Sequence, residues 1–334
     1  MNQKTAILLI NIGTPENPTT GKVRKFLRSF LNDKRVMDIP FLLRKILVNL
    51  IIVPFRAPKS AKLYQKMWTP DGSPILVYGN SLKEKIQHKL GANYTVELGM
   101  RYSKPSIEDG LQKIFRLSPS TIIIVPLFPQ YASSTTGSAV EKALSVISKW
   151  EVIPELKIIN NFYSNTGFID AFTNRIKHYN LRTYDHILFS YHGLPLRQVY
   201  KAHEMRSCED LKCIDEITDS NATCYQAQCY ETSRLIAKQL NLPTTDYTIC
   251  FQSRFAKKWL SPFTDDVIKN LAKKGFKKLL VVSPSFVADC LETIVEIGID
   301  YNELFRSVGG ESLTLVKSLN DQDDWVETLS AIIE

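Results

Sequence analysis

His192 lies at a point in the sequence where a base or a metal ligand is useful. It follows the apolar run HILFSY and precedes Gly-Leu-Pro, which predicts an imidazole on a tight turn at the end of a buried strand. A neutral imidazole accepts a proton or binds a divalent metal ion near neutral pH. Surface placement is the simpler interpretation for the other four histidines, His88, His178, His186 and His203. Local context leaves a catalytic and a structural role for His192 equally open.

Three carboxylates recur at helical spacing in the segment DCLETIVEIG. Asp289, Glu292 and Glu296 occupy positions i, i+3 and i+7, so we expect them on one face of a helix. Favourable charge near a helix N-terminus is the simpler interpretation of these residues. The alternative is a row of carboxylates that moves protons or cations, and the spacing alone leaves both interpretations open.

Four of the six cysteines are clustered, as Cys208-x4-Cys213-x10-Cys224-x4-Cys229. We expect a cytoplasmic protein, and since that compartment keeps thiols reduced, the clustering favours metal ligation over disulfides. Four thiolates suit either zinc or an iron–sulfur cluster, and the spacing does not choose between them. Cys250 lies in a predicted strand, where a small buried hydrophobic residue is the expected role.

A repeating pattern of strands and helices positions these residues. Apolar, β-branched runs predict strands, and amphipathic stretches between several of them predict helices, which is typical of parallel sheets covered by helices. The predicted strands are Thr5 to Asn11, Thr95 to Gly99, Thr121 to Phe128, His186 to Ser190, Tyr247 to Phe251 and Lys278 to Val282. The predicted helices include Ser81 to Leu90, Ser106 to Phe115 and Phe263 to Lys274. Because open α/β sheets bind ligands beyond the carboxyl ends of their strands, His192 lies where a site is expected.

The pattern also occurs twice along the chain. In each half, a strand ending in Arg and an aromatic residue is followed by a Pro-introduced helix, a second strand and a Pro-bearing loop. Pro105 to Pro126 spans 21 positions and Pro262 to Pro284 spans 22. We therefore expect two related α/β domains, 1–155 and 156–320, followed by a C-terminal helix over 321–334.

Composition excludes several classes of protein. Of the 334 residues, 44% are hydrophobic and 23% are charged, as in a folded globular chain and unlike a disordered one. The net charge of +8 suits nucleic acid, a membrane surface or an anionic small molecule. The basic residues are scattered and no nucleic-acid-binding motif occurs, so we expect no nucleic-acid partner. Gly-rich phosphate loops and the GxSxG elbow are also missing from the sequence, so no nucleotide cofactor and no hydrolase are expected.

The longest apolar run covers 39–55 and reads IPFLLRKILVNLIIVPF. A bilayer span needs about 20 mostly uncharged residues, so this run, interrupted by Arg44 and Lys45, predicts a helix with a broad apolar face instead. A core helix, the lip of a pocket and a membrane-surface patch all stay open. The N-terminus lacks the features of a signal peptide. We expect a cytoplasmic protein, with peripheral contact at the inner face of the membrane as an open alternative.

Taken together, the motifs resemble those of the ferrochelatases, enzymes that insert ferrous iron into a porphyrin at the end of haem synthesis. The matching motifs run through most of the chain and include LLINIGTP, FLNDKRVMDIP, RAPKSAKLYQKMW, DGSPI, GMRYSKPSIED, PLFPQYASSTTGS, SYHGLP, FQSRF and SFVADCLETIVEI. The resemblance implies an α/β fold of two similar Rossmann-like, chelatase-type domains, each a parallel sheet flanked by helices, with a porphyrin cleft between them.

The same resemblance implies Fe²⁺ and protoporphyrin IX as the substrates. The apolar lip at 39–55 suits a weakly carboxylated porphyrin, so protoporphyrin is favoured over coproporphyrin. A coproporphyrin ferrochelatase, another tetrapyrrole chelatase and a non-catalytic haem- or metal-binding protein are the alternatives. Monomer and homodimer are equally open.

The resemblance also gives roles to individual residues. His192 matches a residue that takes a pyrrole proton and holds the metal, and Glu292 matches its acidic partner. Asp289 and Glu296 would extend an acidic path for iron or protons. The implied porphyrin contacts are Ile12, Arg56, Tyr64, Ser73, Arg101, Tyr102, Tyr131 and Ser134. Arg56 suits a propionate, whereas Ile12 can only pack against the ring.

The cysteines acquire a more specific interpretation from the resemblance. Residues 205–229 look like the insertion of internal-cysteine ferrochelatases that hold a [2Fe–2S] cluster. We therefore expect this cluster on Cys208, Cys213, Cys224 and Cys229, with zinc as the alternative.

Overall fold

The computed structural model describes residues 5–254 and 256–334, which form two compact units. Phe255, the last residue of the FQSRF motif, lies outside the described residues. The first unit comprises Met1–Phe128, Ala132–Asn161 and Asn320–Glu334, and the second comprises Pro129–Tyr131 and Phe162–Leu319. The C-terminal segment thus belongs to the first unit. The domain ranges 1–155, 156–320 and 321–334 stay a prediction.

The first unit is built on a sheet of four parallel strands in the order β2-β1-β3-β4. The strands are β1 Thr5–Asn11, β2 Tyr94–Met100, β3 Thr121–Pro126 and β4 Glu155–Ile158. β1 has the predicted bounds, and β2 and β3 differ from their predictions only at their ends. The sequence did not reveal β4, because its four residues ELKI alternate between exposed and half-buried positions and form no apolar run.

The second unit repeats this topology, with four parallel strands in the order β6-β5-β7-β8. The strands are β5 His186–His192, β6 Tyr247–Gln252, β7 Lys278–Val282 and β8 Ser312–Leu315. The edge strands β2 and β6 occupy equivalent places in the two sheets, and each bonds to the loop that follows it: Met100 N donates to Pro105 O and Phe251 N donates to Pro262 O. The predicted duplication of a parallel α/β unit is confirmed.

Helices flank both sheets. Those of the first unit are α1 Thr20–Leu31, α2 Phe41–Ile46, α3 Val53–Met67, α4 Pro74–Leu90, α5 Ile107–Phe115, α6 Ser138–Ile147 and α12 Asp323–Ile333. Those of the second unit are α7 Thr166–Lys177, α8 Leu196–Tyr200, α9 Tyr225–Gln239, α10 Thr264–Lys273 and α11 Asn302–Ser307. The described part of the chain also contains three π-helices, Leu47–Ile52, Ser133–Gly137 and Glu292–Tyr301, and two short 3₁₀ turns, Leu181–Thr183 and Lys201–His203.

The cores form where the helices cover the sheets. In the first unit, α5 begins with a capping box between Ser106 and Asp109 and buries Ile107, Leu111 and Ile114 against β1 and β3. In the second unit, Ile268 and other apolar residues of α10 pack in the same way against the central strands. Each buried aliphatic side chain contributes about 1.5–3 kcal/mol. These cores hold the carboxyl ends of the strands in fixed positions.

The apolar run 39–55 is helical but is not part of a core. It forms α2, a π-helical turn and the start of α3, and its apolar side chains are largely exposed: Phe41 by 65%, Leu50 by 68% and Phe55 by 73%. The core-helix interpretation is therefore wrong, while the lip and membrane-surface interpretations stay open. Within residues 5–254 and 256–334, every helix is too short or too polar to cross a bilayer.

Candidate active site and metal centre

His192 is the last residue of β5, at the carboxyl edge of the second sheet. Its Nδ1 lies 2.7 Å from the carbonyl oxygen of Gly193. A carbonyl oxygen only accepts hydrogen bonds, so Nδ1 carries a proton, and in the neutral imidazole Nε2 then presents its lone pair. A Cβ at Gly193 would lie 2.8 Å from the carbonyl oxygen of Gln252, so this turn requires glycine. The strand and turn thus present His192 Nε2 as a base or metal ligand.

Two of the predicted carboxylates lie on the π-helix Glu292–Tyr301. Glu292 and Glu296 are four residues apart, which is close to one turn of a helix with i→i+5 bonds, so both project from one side. The predicted helix face shared with Asp289 is wrong, because the helix begins after that residue. The buried Asp289 carboxylate instead accepts from the backbone N of Ser318, at 3.1 Å.

Glu296 has the most extensive hydrogen bonding of these carboxylates. Its oxygens accept from Ser253 N at 2.8 Å, from Ser253 Oγ at 2.5 Å and from Tyr301 Oη at 3.0 Å. Burial raises the pKa of Glu296, although the bond from Ser253 and the nearby charge of His192 oppose that rise. A carboxyl group with a raised pKa beside an imidazole can take up and release protons.

In the first unit, Arg101 and Tyr102 belong to a buried polar network centred on Asp33. The Asp33 carboxylate accepts from Arg101 Nη2 at 2.7 Å, from Tyr102 Oη at 2.9 Å and from Ser138 Oγ at 2.5 Å. Burial raises the pKa of Asp33, but these bonds and one from Arg35 N outweigh it, so its pKa lies below the ordinary value. Burial also raises the pKa of Tyr102.

The remaining first-unit residues show different degrees of exposure. Ile12 is half-buried, and its carbonyl oxygen accepts from Tyr102 N at 3.1 Å. Ser73 is buried and its Oγ accepts from Thr14 Oγ1 at 2.8 Å. Tyr64 is buried edge-on against Phe26.

The remaining predicted contacts lie on the surface or in the segment after β3. Arg56 is exposed on α3, next to the apolar residues of 39–55. Tyr131 belongs to the second unit, where its backbone N donates to Gln228 Oε1 at 2.6 Å. Ser134 lies on the π-helix Ser133–Gly137 of the first unit. Of the predicted porphyrin contacts, the structure brings Ile12, Arg101 and Tyr102 directly together.

A second group of functional residues lies between α8 and α9. Ligand atoms of His203, Cys208, Cys213 and Cys224 all lie within 4.8 Å of one another, and all four residues are buried. The Cys208 Sγ is 3.8 Å from both the Cys224 Sγ and the His203 Nε2. Hydrogen bonds from the Cys208 and Cys213 thiols lower the pKa of Cys224. This group can hold a metal ion.

The group differs from the predicted four cysteines. Cys229 lies on α9 and does not belong to the set of close ligand atoms, and burial raises the pKa of its thiol well above the ordinary range. The expected surface placement of His203 is wrong, as that of His186 is, since both side chains are buried.

Sequence reasoning missed several residues of these sites. Asp33 occurs within the motif FLNDKRVMDIP, and its place in that motif was the available signal. Ser253 follows β6, at a strand end where ligand-binding residues are expected. The role of Tyr301 could not be predicted from the sequence, because its hydrogen bond to Glu296 depends on the π-helical geometry of this segment.

The sequence of this chain is similar to those of known proteins. A family profile described as ferrochelatase matches residues 4–334. A ferrochelatase of Coxiella burnetii is 47% identical over 98% of this chain and 93% of its own length. A ferrochelatase of Legionella pneumophila is 45% identical over 99% of this chain and 98% of its own length.

Solved structures give the fold independently of sequence similarity. The sirohydrochlorin chelatase SirB from Bacillus subtilis subspecies spizizenii, in complex with cobalt, aligns with a TM-score of 0.56 at 12% identity, covering 99% of this chain and 94% of that one. SirB from Bacillus subtilis with Fe³⁺ aligns with a TM-score of 0.54, also at 12% identity, over 98% of this chain and 93% of that one. At such low identity these alignments show the chelatase fold alone.

Proposed function

Because the chain belongs to the ferrochelatase family, it is a metal-chelating enzyme that inserts ferrous iron into a porphyrin for haem synthesis, and we propose that this porphyrin is protoporphyrin IX. The observation that supports this choice is the exposed apolar surface of 39–55. Protoporphyrin IX has two propionates and an otherwise apolar rim, so an apolar lip favours it over the tetracarboxylate coproporphyrin. Arg56, beside this surface, would bind a propionate.

We propose His192 as the catalytic base and metal ligand. Insertion exchanges two pyrrole N–H protons for one Fe²⁺ ion, so the metal enters as two protons leave. The His192 Nε2 lone pair can take one of these protons, and the neutral imidazole can hold iron before transfer. The bond from Nδ1 to the Gly193 carbonyl oxygen fixes the ring so that Nε2 stays the acceptor.

Glu292 and Glu296 are the proposed path for the second proton or for incoming iron. Glu292 is half-buried at the start of the π-helix, and Glu296 follows on the same side with its carboxylate held by Ser253 and Tyr301. Their negative charge would also stabilise the His192 imidazolium after it takes up a proton. Asp289 bonds to the backbone, so its proposed part is to hold the start of the π-helix against Ser318.

Residues of the first unit and of the segment after β3 are proposed to shape the porphyrin site and to anchor the porphyrin. They are Ile12, Arg56, Tyr64, Ser73, Arg101, Tyr102, Tyr131 and Ser134. Within this set, Arg101 and Tyr102 are bound to Asp33, so they act as a rigid support for Ile12.

Porphyrin preference tests this proposal. We expect protoporphyrin IX to be metallated faster than coproporphyrin, and Leu50→Ser to raise the KM for protoporphyrin several-fold with little effect on coproporphyrin. Leu50 is 68% exposed, so the change leaves the core intact. Anaerobic assays of both porphyrins measure this, with the exposed Leu117→Ser as the matched control. Faster metallation of coproporphyrin by the unmodified enzyme would contradict the proposed substrate.

A pH profile tests the role of Glu296. Tyr301 Oη donates to this carboxylate and so lowers its pKa. Tyr301→Phe removes the donor, the Glu296 pKa rises further, and the carboxylate becomes protonated at a higher pH. We expect the acidic limb of the kcat/KM profile to move up by about one pH unit, the shift that a hydrogen bond of about 1.5 kcal/mol gives. Tyr179→Phe is the control, because the Tyr179 hydroxyl bonds to the backbone carbonyl oxygen of Leu315 and not to Glu296. This variant should leave the acidic limb of the profile unchanged. An unchanged limb in Tyr301→Phe would remove Glu296 from the proton path.

The cysteines form a metal centre in this proposal, separate from the substrate iron. The resemblance predicts a [2Fe–2S] cluster on Cys208, Cys213, Cys224 and Cys229, and that identity stays a prediction. The ligand atoms that lie together include three of these thiols and a histidine, so four-thiolate ligation does not fit the described geometry. No step of the insertion reaction proposed above depends on this centre.

We also propose that the protein is cytoplasmic, with the apolar surface of 39–55 as the face for a peripheral membrane contact.

A further inference from the structure

The cluster between α8 and α9 supports an inference that is independent of the chelatase reaction. We propose that His203, Cys208, Cys213 and Cys224 bind a single tetrahedral Zn²⁺ ion, with His203 rather than Cys229 as the fourth ligand. Three thiolates and one imidazole form a known type of structural zinc site, in which all four positions are filled by protein. The site assigned in this way is structural and not catalytic.

Distances within the cluster fit one ion. Zinc binds sulfur at about 2.3 Å, and tetrahedral angles then separate two sulfur ligands by about 3.8 Å. The Cys208 Sγ lies 3.8 Å from the Cys224 Sγ, and all four ligand atoms lie within 4.8 Å of one another. A [2Fe–2S] cluster binds two ligands on each of two irons, so ligands on opposite irons must lie farther apart than ligands on one ion. The described group has no such division into two pairs.

Metal ligation also explains the position of His203. Its side chain is only 3% exposed, and Nε2 lies 3.8 Å from the Cys208 Sγ. Nδ1 is buried and, in the described part of the chain, has no hydrogen-bond partner. Nε2 is the ring nitrogen that faces the thiols, so it is the atom that a metal ion in the cluster would bind, with the proton of the neutral ring on Nδ1. His203 ends a 3₁₀ turn next to α8, which fixes its ring at the cluster.

Helix geometry separates Cys229 from this group. Cys224 is the residue before the first turn of α9, and Cys229 is five residues later. Five residues of α-helix correspond to about 7.5 Å along the axis and a rotation of roughly 140° from the starting direction. Cys229 is fully buried on α9 and does not belong to the set of close ligand atoms. We therefore assign Cys229 to the core of the second unit and not to the ion.

The surrounding loop supports a structural role for the ion. Between His203 and Cys224 the chain has no α-helix or strand among its described residues, and polar bonds shape it. Asn221 is buried and donates to the carbonyl oxygens of Leu211 and Glu216, at 3.0 and 2.9 Å. A metal ion would join the two ends of this loop, which begins shortly after the strand that carries His192.

Metal content of purified variants tests this assignment. The full-length enzyme is produced in iron-supplemented cells and purified anaerobically, and zinc, iron and acid-labile sulfide per chain are measured. We expect one zinc and no sulfide in the unmodified protein and in Cys229→Ala. In His203→Ala we expect zinc affinity to fall by more than the roughly 10–100-fold that loss of a supporting residue costs, as measured by competition with a chromophoric chelator.

Two further measurements test whether the side chain at position 203 binds the metal ion directly. His203→Cys should restore zinc binding, because four thiolates also suit zinc. Replacing zinc by Co²⁺ should give the visible bands of tetrahedral cobalt, with a shift between the unmodified protein and His203→Cys that reports the exchange of nitrogen for sulfur. Circular dichroism checks that each variant is folded.

Some outcomes would overturn the proposal. Two irons and two sulfides per chain, with visible bands that bleach on reduction, would show a [2Fe–2S] cluster instead. Loss of metal in Cys229→Ala, with retention in folded His203→Ala, would return the fourth position to Cys229. A folded enzyme that binds neither metal would also refute the site. None of these readouts depends on iron insertion, so failure of the chelatase proposal would be seen separately, in the porphyrin assay.

Discussion

His192→Ala is expected to lower the rate of iron insertion by about 10²–10⁴-fold, the contribution typical of a positioned acid or base. Alanine removes the Nε2 lone pair that would take a pyrrole proton and hold iron. The side chain is half-buried at the end of β5, and among the described residues its ring bonds to the adjacent Gly193, so the fold should persist. Anaerobic stopped-flow fluorescence, which follows the loss of free protoporphyrin, measures the rate.

Porphyrin affinity separates a chemical role from a binding role. Fluorescence titration of His192→Ala with protoporphyrin should give a Kd within a few-fold of that of the unmodified enzyme, because the proposed anchoring groups are other residues. His178→Ala is the matched control, since this exposed histidine follows α7 and bonds to the backbone carbonyl oxygen of Asn174 in that helix. A variant that keeps its insertion rate would remove His192 from the reaction, and one that loses porphyrin affinity in proportion to rate would make it a binding residue.

The strands were the most predictable part of this fold. β1 and β7 were predicted to the residue, because continuous Ile, Leu and Val runs between turn residues are found where both faces of a parallel sheet are covered. β4 and β8 were missed because edge strands of four residues carry too few apolar positions. The repeated spacing of Pro105 and Pro262 correctly indicated a duplicated topology, since the same loop bonds to the same strand in both units.

The sites were less predictable, because they depend on which helical form the chain adopts and on loop conformation. Glu292 and Glu296 were placed correctly on one helix, but α-helical spacing wrongly included Asp289. The clustered thiols predicted a metal centre, and the resemblance implied that residues 205–229 are an insertion. The approach of His203 to these thiols depends on the turn after α8, for which the sequence offers no periodic signal. Spacing therefore predicted the three thiols that lie together but not the histidine beside them.

Asp33→Ala is expected to destabilise the first unit by about 3–5 kcal/mol, the cost typical of removing one partner of a buried ion pair. Asp33 has a side chain only 5% exposed, and its loss leaves the Arg101 guanidinium without its carboxylate. The Tyr102 and Ser138 hydroxyls lose an acceptor at the same time. For a unit of this size the melting temperature should fall by roughly 10 °C, as measured by circular dichroism.

Glu327→Ala is the control for this stability effect, because it removes a carboxylate paired with Lys89 on the surface. Both side chains are well exposed, at 63% and 46%, so the pair is worth less than about 1 kcal/mol. An Asp33→Ala variant as stable as this control would show that Asp33 does not organise the network.

Acid titration provides a second test of the Asp33 network, in which Asp33→Asn keeps the shape but removes the charge. The pKa of Asp33 is lower in the folded protein than in the unfolded chain, where it is about 3.9. The charged carboxylate therefore contributes its full stabilisation above that value and loses it as pH falls towards the folded pKa. The stability difference between the unmodified protein and Asp33→Asn should be constant near neutral pH and should narrow below about pH 4. A difference that stayed constant through this range would mean that shape, and not ionisation, makes Asp33 the centre of the network that holds Arg101 and Tyr102.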